Sequence, residues 1–181
     1  FSEERGGSGA AADTHLLPVV GVHIEPFGAY SSKYKTIKEV PDGATVAIPN
    51  DPVNTGRALV MLSNAGLITL KNPRDPQSAT KDITANPHRF KIRELEGAML
   101  ARAVNQVDLA FIFANYALEA GIDTDKALLV EKGSDLYVEY LVARPDNIND
   151  PGIQKLAKAL NSDRVRSFIL TRYKGKILPG F

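Results

Sequence analysis

Cysteine is missing from all 181 residues, and so is tryptophan. Disulfides, thiolate nucleophiles and Cys-ligated metals are thereby excluded. A surplus of one charge is missing too. The 22 Lys and Arg against 21 Asp and Glu leave a net charge of +1, without the basic excess of a nucleic-acid surface. No apolar run approaches the roughly 20 residues of a membrane span. The longest, residues 107–114, is interrupted by Asp108 and has the length of a strand. Histidine occurs three times, never at a metal-ligand spacing such as H-E-x-x-H. No cofactor is expected, and no internal repeat is visible.

What is present is an ordinary globular balance, 44% hydrophobic and 24% charged, enough for one compact domain or two small lobes. Residues 1–14 are Gly/Ser/Ala-rich and read as a loop. Residues 16–24 read as a strand, and Glu25-Pro26-Phe27-Gly28 as a turn or hinge. Pro41-Asp42-Gly43 makes a tight turn. Strands are expected at 91–95, 107–113, 127–131 and 136–143, with helices at 97–104 and 115–120 and a weak one at 78–85. Near the C-terminus, Asp150 caps and Pro151 opens a helix with Ile153, Leu156, Ala157 and Leu160 on one face. Ser162 or Asp163 opens another, ended by Gly175. Strands alternating with helices predict an α/β fold with mainly parallel, doubly wound sheets.

The most informative stretch is residues 45–70, TVAIPNDPVNTGRALVMLSNAGLITL. A short apolar strand runs into a polar loop, and a helix is expected from about Ala58 until Gly66 stops it. Such a loop aims backbone N–H groups at a small anionic ligand, the geometry of a binding site at the mouth of an open sheet. Asn50 and Asp51 organise the turn. Asn54 either contacts ligand or caps the helix. Arg57 reads as a structural clamp or a surface residue.

VAIPNDPVNTGRALVMLSNAGLITL resembles the signature of the methionine-binding lipoprotein family, the substrate-binding proteins of methionine ABC importers. GVHIEPFGAYSSKYKTIKEVPDGATVAIPNDP, IRELEGAMLARAVNQVDLAFIFANYALEAG and DPGIQKLAKALNSDRVRSFILTRYKGKILPGF resemble further family segments in the same order. The resemblance implies a two-lobed periplasmic-binding-protein-like fold that clamps ligand by hinge closure. Residues 1–27 and 131–181 would form the first lobe and residues 28–130 the second. The family's N-terminal β-α-β-α section, signal peptide and lipid-bearing Cys have no counterpart in these 181 residues. The expectation is therefore a member lacking its N-terminal section, with an incomplete first lobe whose bared sheet favours self-association. The implied partners are a small methionine-like amino acid and a membrane permease. The implied location is extracytoplasmic, on a lipid anchor.

Carried over residue by residue, the resemblance makes Arg102 the partner of the ligand's carboxylate, suited to it by a guanidinium's two parallel N–H groups. Phe113 stands where the family has a ligand-holding Asn, and Asn115, two residues on, is the substitute. Glu139 stands at the family's second ligand Asn, where it accepts from an ammonium and repels a carboxylate. Tyr30 and His23 flank the first crossover and lend ring surface to the ligand side chain. His23 also reads as an ordinary strand histidine. Glu94 and Glu96 share a strand face and would serve acid–base chemistry in an enzyme on this scaffold, with His23 as another candidate. Lys33, Lys35 and Lys38 form a solvated basic surface. A diverged homologue that binds another small ligand, or none, is the remaining alternative.

Overall fold

The structure, a computed structural model, describes residues 15–132 and 137–181. The loop expected at 1–14 lies outside them, as does the start of the strand expected from Leu136. The chain divides into two compact units. One comprises residues 1–25 and 134–181, the other Pro26–Gly133.

The second unit carries a five-stranded sheet in the order β6-β3-β7-β2-β8. These strands are β2 (Phe27–Tyr30), β3 (Thr45–Pro49), β6 (Lys91–Leu95), β7 (Leu109–Phe113) and β8 (Leu129–Val130). β3 runs parallel to both β6 and β7. β2 is antiparallel to β7 and β8. The directions are thus mixed, not mainly parallel. The two strands that admit and release the chain, β2 and β8, lie beside the parallel trio. The hinge expected at residues 25–28 is shorter in the structure, because Phe27 and Gly28 already pair with Phe113 and Ile112 in β2.

Strand alternation sends successive side chains to opposite faces. Val46, Ile48, Leu109 and Phe111 join one buried cluster with Leu59 and Leu62 of α1 (Pro52–Asn64). Ala47, Ala110 and Ile112 join a second with Leu100 and Ala101 of α2 (Gly97–Ala103) and Ala117 of α3 (Ala114–Glu119). Helices cover both faces, so the central strands are apolar on both sides.

α1 starts at Pro52, six residues ahead of the expected Ala58. Pro52 occupies the first helical turn, where its missing N–H costs nothing. Asp51 caps it, accepting from the Asn54 N–H at 3.0 Å. Gly66 stops the chain just beyond α1 with φ +74°, a conformation glycine adopts freely. Residues 78–85 hold no α-helix. They form a 3₁₀ turn (Thr80–Asp82) and then β5 (Ile83–Ala85). β5 pairs with β4 (Thr69–Leu70), a distant backbone partner that outweighs a weak local preference.

The first unit holds an antiparallel sheet in the order β10-β1-β9. Its strands are β1 (Leu17–Ile24), β9 (Val138–Ala143) and β10 (Leu178–Pro179). The helices α4 (Pro151–Leu160) and α5 (Asp163–Tyr173) begin where expected. The Asp150 carboxylate accepts from Gly152 N–H at 2.7 Å and the Ser162 hydroxyl from Val165 N–H at 3.3 Å. α4 packs on β1 and α5 on β10.

Candidate functional site

The three parallel strands of the second unit deliver their C-terminal ends to one sheet edge, since Pro49 of β3 is level with Leu95 of β6. Each strand passes almost directly into a helix: β3 into α1, β6 into α2, β7 into α3. Three helix N-termini therefore open at that edge.

At the α1 entrance, Asn54 is fully engaged. Its N–H and Nδ2 donate to the two Asp51 carboxylate oxygens, each at 3.0 Å, and its Oδ1 accepts from Arg57 Nη1 at 3.2 Å. Arg57 itself is 6% exposed. Its Nε and Nη2 grip the Glu131 carboxylate at 2.9 and 2.6 Å. Its guanidinium carbon lies 5.2 Å from the Phe27 ring centre and 5.4 Å from that of Phe113. Those two rings stack at 4.4 Å. Of the two readings of Arg57, clamp or surface residue, the structure shows the buried clamp. Glu131 carried no local signal, since its partner lies 74 residues away in sequence.

Asn115 sits in the first turn of α3, and its buried Oδ1 accepts no hydrogen bond from the described residues. A buried unpaired carbonyl is costly, which marks it as an acceptor in want of a donor. Arg102 lies in the last turn of α2, exposed. It makes no ion pair or hydrogen bond with the described residues. Tyr30 is placed differently. It is 5% exposed within the second buried cluster. Burial, then the negative Asp125 and Asp123, push its hydroxyl up to about 12.

On the first unit, His23 of β1 faces Glu139 of β9 across the antiparallel pair. His23 Nε2 lies 3.0 Å from Glu25 Oε1. That hydrogen bond, outweighing burial and helped by the charges of Glu25 and Glu139, raises the imidazole above its ordinary value. Glu139 is exposed. Glu94 and Glu96 do not share a strand. Glu94 is the last but one residue of β6, whereas Glu96 lies beyond the strand and immediately precedes α2. Lys33 is not merely solvated, for it donates to Asp108 Oδ1 at 2.8 Å. Among the described residues no His, Asp or Glu cluster suits a metal ion, and no helix is long and apolar enough to cross a membrane.

A two-sided α/β unit with three helix N-termini at one strand edge is an open-sheet architecture. The comparisons narrow the class. The chain belongs to the NlpA lipoprotein family, whose profile matches residues 8–181. It is 36% identical over 172 residues to the methionine-binding lipoprotein MetQ of Bacillus subtilis, covering 92% of this chain and 63% of that protein. A nutrient binding protein from Burkholderia cenocepacia, solved bound to methionine, superposes with a TM-score of 0.87 at 36% identity, over 92% of this chain and 70% of that one. The substrate binding protein of a methionine transporter from Streptococcus pneumoniae superposes with a TM-score of 0.85 at 29% identity, over 91% and 67%. The chain spans 61% to 63% of the length of such curated relatives. The α/β periplasmic-binding-protein-like fold expected from the sequence is the fold of these structures.

Proposed function

We propose that this chain is the ligand-binding portion of an extracytoplasmic, lipid-anchored substrate-binding protein. It captures methionine or a related small amino acid and hands it to an ABC permease, without turnover. The observation that carries this reading is the likeness, over 92% of the chain, to a structure holding methionine. The relatives' names supply the lipoprotein and the transporter. We take the two compact units as the two lobes, with the second lobe 28–130 lying inside unit Pro26–Gly133.

Arg102, exposed and without a partner among the described residues, takes the ligand carboxylate. The unpaired Asn115 Oδ1 accepts from the ligand ammonium. Glu139 and His23, which face each other on the first unit, stay candidates on the resemblance alone. Phe113 covers the ligand side chain. Asn54 acts through the turn that it holds, and Tyr30 acts from the core as support. A charge-assisted bidentate pair at Arg102 is the strongest single contact in this set.

Isothermal titration of the natural gene product with L- and D-methionine tests the reading. Binding of either isomer, weakened about a hundredfold in Arg102→Ala, is expected from the loss of a hydrogen-bonded charge pair. No heat with either isomer, in a chain carrying every residue the gene encodes, rejects methionine.

A further inference from the structure

Among the described residues the second unit buries one guanidinium, that of Arg57. The Arg57 guanidinium joins four chain segments: the first turn of α1 through Asn54, the start of β2 through Phe27, the end of β7 through Phe113, and the residue after β8 through Glu131. Phe27 directly follows Pro26, and Glu131 lies two residues before Gly133, so both boundary segments of the unit meet at this point. The Glu131 N–H also donates to the Phe27 carbonyl at 2.9 Å.

The consequence reaches Asn115 through α3. That helix spans Ala114–Glu119 and has no side-chain cap. So short a helix does not hold itself in place. Its start is fixed by two tertiary contacts. The Ala114 N–H donates to the Pro26 carbonyl at 3.0 Å, and the preceding residue, Phe113, stacks on the Phe27 ring and also touches Arg57. Asn115 is the next residue after Ala114, and its buried Oδ1 is unpaired among the described residues.

We propose that Arg57 is a positioning residue for the ligand: through its fork on Glu131 and its faces on Phe27 and Phe113, it fixes the first turn of α3 and so the aim of the Asn115 amide. It touches no ligand itself. The proposal rests on the transport reading for its ligand but not for its geometry.

The test separates positioning from folding. Breaking a buried ion pair by removing one partner leaves the other charge stranded, whereas replacing both by apolar side chains of like volume is often neutral. The double variant Arg57→Met, Glu131→Leu therefore keeps a melting midpoint near the parent's. It is expected to bind methionine about tenfold more weakly, a usual size for coupling between a site and its support. In the ligand-free protein its Asn115 side-chain amide NMR signal moves. Leu70→Ala, a core truncation at a side chain 2% exposed, lowers the midpoint yet leaves that signal in place. Should the double variant not fold, Arg57→Lys, which keeps the charge and loses the fork, is read by the same signal. An unmoved Asn115 signal overturns the proposal, and so does parental methionine affinity in the folded double variant. If the parent protein does not respond to methionine, the transport reading fails instead, and the signal alone decides on Arg57.

Discussion

Arg57 and Glu131 are 6% and 7% exposed at their side chains, so either one left alone is a charge without water. Truncating Arg57 to Ala should cost about 3–5 kcal/mol, read as a fall in the urea midpoint. Glu131→Ala should cost a similar amount, and the two losses should not add. Tyr30 gives a second residue-level expectation. Its folded value of about 12 lies above the ordinary 10, so above pH 10 the unfolded chain sheds the proton first. Stability should therefore fall as pH rises from 10 to 12. The Tyr30→Phe variant should show a shallower fall in alkaline denaturation. Each side chain's environment was only partly legible in the sequence. Arg102 is a candidate by motif alone, and the structure shows it exposed in the last turn of α2. Tyr30 looked like a ring beside a crossover, but strand alternation puts it into the second cluster with Ala47 and Ala110. Glu131 was invisible because ion pairs between distant segments leave no local pattern.

Elements were legible where punctuation is chemical. Asp150-Pro151 and Ser162 announced α4 and α5, and Asp51-Pro52 is the same signal at α1, six residues ahead of the expected start. A glycine inside a helix argues for a loop because it costs up to about 1 kcal/mol relative to Ala. Here it is required by contact. A Cβ on Gly56 would lie 1.8 Å from the Pro76 carbonyl oxygen, so the loop after β4 packs directly on the helix backbone. Gly56→Ala should thus destabilise the protein despite its better helix propensity, and by more than the propensity gain. Chemical denaturation checks this, and a stabilised variant would show that the loop yields. Asp51→Ala removes the acceptor of both the Asn54 N–H and Nδ2. It should cost about 1 kcal/mol. The 3₁₀ turn and β5 at 80–85 were missed for the converse reason: pairing with β4 is a tertiary event, and no residue there signals it.

At the scale of the molecule, the two units differ in what they bury. In the second, the sheet is covered by α1 on one face and by α2 and α3 on the other, and Phe27, Phe111, Leu59, Leu62, Leu100 and Leu109 are wholly enclosed. In the first, the buried apolar side chains among the described residues are Ile24, Ala143, Ala157, Ile169 and Ile177, two of them alanines. Leu156, Phe168, Leu170 and Tyr140 stay exposed there. Apolar burial is the main favourable term in folding, and local opening is cheapest where it is sparse. Native-state hydrogen exchange of this 181-residue chain should therefore show two tiers. Amides of β3 and β7 should exchange only by the largest opening, at the highest free energy, and those of β1, β9 and α5 by smaller openings well below it. Equal protection in both tiers would mean that the first unit draws stability from outside its own core, and α5, with Phe168 exposed, is where the search for that contact would begin.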